Sequence, residues 1–246
     1  MAETVSAEAV TVSSAPLEGA ELQNALDLVE EIQEDRASRK LKPAEVPHVL
    51  LPYQARWHAD RSPVRIALKS RRIGFSWGAL AAESVIEAAA AKEAGGMDQF
   101  YMGYNQAMAA EFIGDCAFFA KAFDQAVSAI SVSRDVVMVE DERRDILRYK
   151  IRFASGHRVE ALSSNPYNWR GKQGHARIDE AAFHENLREV VKGALAFRMW
   201  GGRVDIVSTH NTENNPFFEY LRDVQAKVLP WSPHTITFDD ALRQGF

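Results

Sequence analysis

The sequence predicts an α/β fold with a mainly parallel central sheet flanked by helices on both faces. Three observations lead there. Short apolar runs such as "VRIALKS" (64–70), "QFYMGY" (99–104), "HARIDEA" (175–181) and "RVDIVSTHN" (203–211) alternate with longer stretches of helical periodicity. That is the pattern of strand–helix–strand units whose crossovers cover both sides of a parallel sheet. The 246 residues, 46% hydrophobic and 26% charged, suit one sizeable core or two small ones. Three of the apolar runs end in polar groups, at Lys69-Ser70, Asp179-Glu180 and Ser208–Asn211. Open α/β sheets bind their ligands at the C-terminal edge of the strands.

Taken in order, residues 1–20 are small and polar and are expected to be disordered. Leu22, Leu26, Val29 and Ile32 share one face of an amphipathic helix. Three prolines in "KPAEVPHVLLP" then lead into the main domain. Residues 1–47 are therefore expected to form an acidic, partly disordered segment with a short helix, and 48–246 the α/β domain. After the strand at 64–70, "SWGALAAESVIEAAAAKEA" (76–94) predicts a helix stopped by Gly95-Gly96. A strand at 99–104 precedes a long helix over 105–130 that starts at Asn105. "DVVMVE", "ILRYKIRF" and "HRVEALS" predict a hairpin or three-stranded meander. The strand at 175–181 leads to a helix over 185–200 and the strand at 203–211. "PFFEYLRDVQAK" reads as a final helix and "HTITF" as a last strand.

The net charge of −5 is unevenly spread: residues 1–48 hold ten acidic and four basic side chains, leaving the remainder close to neutral. Basic clusters in that body still act locally. "RRDILRYKIR" and "ASRKLK" are the main ones, read as a solvated strand face or linker, or as contacts to the phosphate of a polyanion. Cys116, the only cysteine, lies in "CAFFAKAF" and reads as a small buried hydrophobe. With no disulfide partner, a reducing compartment fits. No run reaches the roughly 18–20 apolar residues of a membrane span, and the acidic start lacks a signal pattern. The expectation is a soluble cytoplasmic protein. No zinc pattern is present.

"KSRRIGFSW" (69–77) sits between a strand and a helix and approximates the phosphate-loop pattern G-x-x-x-x-G-K-[ST]. Gly74 and Ser76 stand where the second glycine and the hydroxyl belong. Lys69 replaces the first glycine, and Phe75 replaces the lysine. A loop curled round a phosphate brings its first residue near its last, so Lys69 would reach the β/γ-phosphates from the other side. Gly74 lets the backbone approach the phosphates, and Ser76 at the helix start is a ligand for Mg²⁺. A basic turn before a helix is the plainer reading. Asp179-Glu180 follow a short apolar strand about 100 residues later, where a nucleoside triphosphatase needs a Mg²⁺ carboxylate and a base for the attacking water. A solvated acidic pair is the alternative. Ser208, Thr209, His210 and Asn211 end a third strand.

In this order "LLPYQARWHAD", "KSRRIGFS", "WRGKQGHARIDEAAF" and "VDIVSTHN" resemble the ATPase domain of tailed-phage large terminases, the DNA-packaging motors, from about residue 48 to 240. The deviant loop is similar to a lambda-type spelling, and "YQ..W" with "WRG…IDEAAFHE" resembles the Mu-like branch. The resemblance implies an N-terminal ATPase domain of P-loop NTPase (ASCE/RecA-like) fold, with ATP and Mg²⁺ as ligands. It implies that residues 69–76 (Lys69, Ser70, Arg71, Arg72, Ile73, Gly74, Phe75 and Ser76) form the phosphate loop, with Ser76 and Asp179 on Mg²⁺ and Glu180 on the water. Arg71 matches the loop arginine acting on the γ-phosphate, with Arg72 the alternative. Tyr53 and Gln54 fall where the family recognises adenine, or make an ordinary helix-start contact. Ser208, Thr209 and Asn211 match a motif that senses γ-phosphate. Arg170 matches an arginine that completes a neighbouring subunit's site; with Lys172 it would otherwise contact DNA.

Partners implied are double-stranded phage DNA, the portal protein, a small terminase subunit and further copies in a ring on the procapsid, with a monomer as the alternative when isolated. The place implied is the cytoplasm of the infected bacterial host, transiently on the procapsid and not in the mature virion. Only 35 residues follow Asn211, and no RNase H-like nuclease is assigned to them. The acidic N-terminal segment would be a tail or a docking element. A helicase-like ATPase and a catalytically silent nucleotide-binding module are the rival readings. The absence of further helicase motifs argues against the first, and the presence of Lys69, Ser76, Asp179 and Glu180 against the second.

Overall fold

The computed structural model describes residues 13–16, 50–123, 127–139, 142–162, 164–212 and 214–246. The helix expected over 22–32 and the "ASRKLK" run lie outside them, and of residues 1–20, expected to be disordered, only 13–16 are described: they form a strand, because an antiparallel partner supplies the hydrogen bonds the segment lacks alone.

Nine strands among these residues form one sheet: β1 (Ser13–Pro16), β2 (Val64–Lys69), β3 (Gln99–Met102), β4 (Val127–Val139), β5 (Glu142–Phe153), β6 (Arg158–Leu162), β7 (His175–Ile178), β8 (Val204–Ser208) and β9 (Ser232–Ile236), in the order β1-β4-β5-β6-β3-β7-β8-β2-β9. The run from β6 to β9 is parallel throughout. β4, β5 and β6 form the antiparallel meander expected from their β-rich sequence. The helices are α1 (Pro52–Ala59), α2 (Ala82–Ala89), α3 (Gln106–Ala122), α4 (Leu187–Leu195), α5 (Pro216–Gln225) and α6 (Phe238–Arg243).

Successive residues of a strand point to opposite faces, and the core divides accordingly. Ala67, Tyr101 and Val207 join Trp57, Phe75, Val85, Phe112 and Phe119 under α1, α2 and α3. Ile66, Phe100, Ile178 and Ile206 join Leu187, Val190, Phe197, Phe217 and Leu221 under α4 and α5. Both faces are covered, so the strands bury side chains on both sides. Asn105 caps α3, its Oδ1 accepting from the Met108 N–H at 3.0 Å.

Three expected elements differ. The helix over 105–130 ends at Ala122, and its last residues belong to β4, whose ladder with β5 runs from Val127↔Phe153 to Val139↔Glu142. β-Branched residues go to the strand where a ladder offers them partners. The helix expected over 76–94 begins instead as a π-helical turn, Phe75–Ala81, continues as α2, and stops at Ala90. Gly95-Gly96 end only a 3-10 turn, Lys92–Ala94. There the chain doubles back so tightly that a Cβ on Gly96 would lie 1.9 Å from the Ala90 carbonyl. The helix at 216–225 is not the last, because α6 follows β9; Thr237 caps it, accepting from the Asp240 N–H at 3.1 Å.

The sheet also buries charge that the sequence does not announce. Arg65, Asp205 and Arg177 are register partners across β2, β8 and β7. All three are buried. Arg65 binds Asp205 through Nε and Nη2 at 2.7 and 2.8 Å, and Glu83 through Nη2 at 2.7 Å. Arg177 binds Glu83, Asp205, Glu87 and the Gln99 Oε1. Glu83 and Glu87 sit one turn apart on α2, so the network fastens that helix to three strands. Burial opposes ionisation of both glutamates, but the surrounding arginines hold them below the usual carboxylate range.

His175 beside the network accepts from the Arg203 N–H at 2.7 Å through Nδ1. Burial pushes its pKa down to about 4. Between about pH 6.5 and 4 the unfolded chain therefore binds a proton that the folded chain refuses. Stability is expected to fall as pH drops through that window, by about 1.4 kcal/mol per pH unit from this group. Urea unfolding at pH 7 and pH 5 checks it: the loss should shrink in His175→Gln, and an equal loss in both proteins would contradict it.

Candidate active site

β2 delivers Lys69 to the C-terminal edge of the sheet, and the chain turns through 70–74 into the helix starting at Phe75. Arg72 and Gly74 both take left-handed backbone conformations, φ 55° and 66°. At Gly74 this costs nothing, since there is no Cβ to clash. α1 carries the loop's supports. The buried Tyr53 hydroxyl donates to the Ile73 carbonyl. Gln54 donates from Nε2 to the Gly74 carbonyl at 2.8 Å, while its Oε1 accepts from the Leu51 N–H at 2.8 Å. His58 Nε2 lies 3.0 and 3.1 Å from the Gly78 and Ala79 carbonyls of the π-helical turn.

Gly78 leaves room for Gln54, because a Cβ there would lie 2.4 Å from the amide. Gln54→Ala would remove the partner of the Leu51 N–H and leave the Gly74 carbonyl with the Gly78 N–H alone. It is expected to cost about 1–3 kcal/mol, measured by chemical denaturation; a change within error would show that the loop does not depend on this amide.

Six side chains from five segments of the chain meet in front of the loop. Ser76 Oγ donates to Asp179 Oδ2 at 2.6 Å. Lys69 Nζ donates to Glu180 Oε1 at 2.7 Å. Thr209 donates to Glu180 Oε2 from both N–H and Oγ1, at 2.9 and 2.8 Å. Tyr101, at the end of β3, adds a hydroxyl to Asp179 Oδ2 at 3.1 Å. Asp179 is fully buried, and burial pushes its carboxyl above the usual range. Burial works the same way on Glu180, but Lys69 and the Thr209 hydrogen bonds hold it below that range. Glu180 also has left-handed backbone, φ 49°, which a non-glycine residue rarely adopts.

Lys69, Ser76, Tyr101, Asp179 and Glu180 line a cavity of about 980 Å³ together with Ser70, Arg72, Ile73, Gly74 and Phe75. Such a volume is at the upper end of small-molecule sites. It holds a basic side chain, a hydroxyl–carboxylate pair and a second carboxylate within one space, the set needed to bind a phosphate chain, a divalent cation and a water.

The structure thus brings together Lys69, Ser76, Asp179, Glu180 and Thr209. Ser208 is buried behind them, its Oγ donating to the Thr209 carbonyl and accepting from the Ala182 N–H, and Asn211 Nδ2 donates to the Ala182 carbonyl at 3.0 Å. Tyr53 and Gln54 lie beneath the loop rather than in the cavity. Of the loop arginines both are exposed, but only Arg72 lines the cavity. Arg170 lies elsewhere, over the Tyr167 ring at 4.7 Å in a second cavity of about 1120 Å³. Tyr101, His58 and His184, whose Nε2 lies 3.0 Å from the Asp179 carbonyl, have no motif spelling; only their positions next to strand and helix ends signal them.

A parallel sheet with this loop on one strand and an acidic pair on a nearby one defines a P-loop NTPase fold. Solved structures that share the fold include two phage large terminases. One is the ATPase domain of the Thermus phage P74-26 large terminase, at 19% identity and a TM-score of 0.52 over 80% of this chain and 83% of that one. The other is the large terminase of a thermophilic bacteriophage, at 16% identity and a TM-score of 0.53 over 78% and 46%. The chain is a homologue of the Mu-like large terminase proteins called gp28. It is 51% identical over 197 residues to "Mu-like prophage FluMu protein gp28" of Haemophilus influenzae and 48% identical over 198 residues to "Probable terminase, large subunit gp28" of Escherichia phage Mu. The matches take in 80% of this chain but only 38% and 36% of those proteins. No family model matches the chain.

Proposed function

We propose that the chain is the ATPase motor portion of a large terminase, hydrolysing ATP with Mg²⁺ to drive double-stranded phage DNA into a procapsid. The observation that carries this reading is the convergence of Lys69, Ser76, Asp179 and Glu180 in one cavity at the sheet's C-terminal edge.

The donor set fits the cation. Ser76 and Asp179 are hard oxygen donors of the kind Mg²⁺ prefers, and the burial that raises the Asp179 pKa is a penalty that a cation beside the carboxylate would offset. These two residues would hold Mg²⁺, which when bound neutralises charge on the phosphate oxygens. Lys69 is held by Glu180 Oε1, so a phosphate chain entering the cavity competes with Glu180 for the ammonium. Exchange of that partner frees Oε1 to accept a proton from water while Thr209 keeps Oε2 in place. Thr209 thereby links the third strand end to the residue that meets the nucleophile.

Arg72, as the loop arginine lining the cavity, takes the γ-phosphate role in this reading. Tyr53 and Gln54 act as supports of the loop, and contact with adenine would come at the expense of those bonds. Arg170, exposed and outside its own chain's site, serves a neighbouring copy in a ring. Duplex DNA, the portal protein and a small terminase subunit are the partners, in the host cytoplasm and on the procapsid. Among the described residues no helix is long and apolar enough to cross a membrane.

The test is ATP binding and hydrolysis by wild type and Lys69→Ala. Because Lys69 is the only lysine lining the cavity among the described residues, the variant should bind ATP at least tenfold more weakly, the equivalent of about 1.4 kcal/mol. Wild-type binding and turnover in Lys69→Ala would end the reading. ATP-dependent movement on duplex DNA without strand separation distinguishes a packaging motor from a helicase.

A further inference from the structure

The two cavities share a buried link. His184 Nε2 lies 3.0 Å from the Asp179 carbonyl and its Nδ1 lies 2.7 Å from Ser164 Oγ. A carbonyl oxygen only accepts, so Nε2 carries the ring proton. With the proton on Nε2 of the buried ring, Nδ1 accepts and the Ser164 hydroxyl donates to it. Carbonyl, imidazole and hydroxyl therefore form one directed chain.

Each end of that chain is mechanically placed. At one end, the Asp179 carbonyl belongs to the peptide that leads into Glu180, whose left-handed backbone is a costly conformation held by its surroundings. Any change of partner at Glu180 bears on that peptide. At the other end, Ser164 opens a stiff loop. Asn165 Oδ1 accepts from the Tyr167 N–H at 3.0 Å, a 3-10 turn spans Pro166–Trp169, and the Arg170 N–H donates to the Tyr167 carbonyl at 3.2 Å. Trp169 Nε1 fastens the turn to the Val190 carbonyl at 3.0 Å. The exposed Arg170 side chain follows directly.

We propose that His184 is a positioning residue that ties the backbone of the acidic pair to the 164–173 loop, so that a ligand in the Lys69 cavity alters the presentation of Arg170. The inference rests on the nucleotide reading above. It requires no contact between His184 and the ligand, only that the Asp179–Glu180 peptide move when Glu180 exchanges Lys69 for water.

Hydrogen exchange on the whole chain, with and without Mg²⁺ and a non-hydrolysable ATP analogue, tests it in wild type, Ser164→Ala and Ser164→Thr. In wild type the analogue should slow exchange at 69–76 and change it at 164–173 by about fivefold, the factor one hydrogen bond of about 1 kcal/mol confers. Ser164→Ala should keep the response at 69–76 and lose it at 164–173, and Ser164→Thr, which retains a hydroxyl, should restore it. A purely structural hydroxyl would alter exchange in Ser164→Ala equally with and without the analogue. That pattern, or a wild-type response confined to 69–76, overturns the link while leaving the nucleotide reading intact. Absence of any response at 69–76 overturns the nucleotide reading and the link with it.

Discussion

Glu180→Gln should lower ATP turnover by about 10²–10⁴-fold, the range a positioned general base supplies, while ATP affinity stays within a few-fold of wild type. The substitution keeps the side chain's size and one oxygen for Thr209, which now donates to Oε2 from two groups at 2.8 and 2.9 Å. What it removes is the charge that pairs with Lys69 at 2.7 Å and the basicity needed to take a proton from water. Lys69, released from its carboxylate partner, is freer to meet phosphate, so binding is expected to hold or tighten as turnover falls. Equilibrium nucleotide binding together with single-turnover phosphate release separates the two effects. Turnover near the wild-type rate would remove Glu180 from the chemistry, and loss of binding in step with turnover would make it a structural partner of Lys69.

The second large effect concerns stability. Asp205→Asn should destabilise the fold by about 3–5 kcal/mol, the usual cost of removing one partner from a buried ion pair. For a chain of this size that corresponds to a fall in Tm of roughly 6–20 °C. Asp205 alone stands between Arg65 and Arg177 on the strands, and both guanidiniums are fully buried. Without its charge they face one another with only Glu83 and Glu87 on α2 to compensate. The residues removed from water together also act together, so Arg65→Met with Asp205→Leu should cost less than the sum of the two single changes. Thermal and urea unfolding of the two singles and the double measure this, and additive losses would mean the pair contributes no coupling. The site is expected to feel the change indirectly, because the same network anchors the helix that continues the phosphate-type loop.

Much of the molecule was legible in the chain. The alternation of apolar runs and helical periods set the parallel sheet and its two covering layers, and Asn105 marked the start of α3. "DVVMVE", "ILRYKIRF" and "HRVEALS" marked the meander, but not that β4 begins as early as Val127, because apolar residues at 127–130 fit either period until a partner strand is known. The three strand ends that carry Lys69, Asp179-Glu180 and Ser208–Asn211 were also legible, since each is an apolar run closing in polar groups.

Other features needed distance in space. Nothing local separates Tyr53 and Gln54 as supports of a loop from Tyr53 and Gln54 as groups lining a cavity; twenty residues of intervening chain decide it. Arg65 in "VRIALKS" reads as an exposed interruption of a strand until Asp205, 140 residues later, is seen in register beside it.

The sequence alone determined the fold class, the meander and the order of the motifs, because strand and helix periods and turn residues are local properties of the chain. Only the tertiary structure decided which partner each polar group takes: Lys69 with Glu180, Ser76 with Asp179, Arg72 toward the cavity and Arg170 away from it. Hydrogen bonds and ion pairs act over a few ångströms between residues far apart in sequence, and strand order sets those distances.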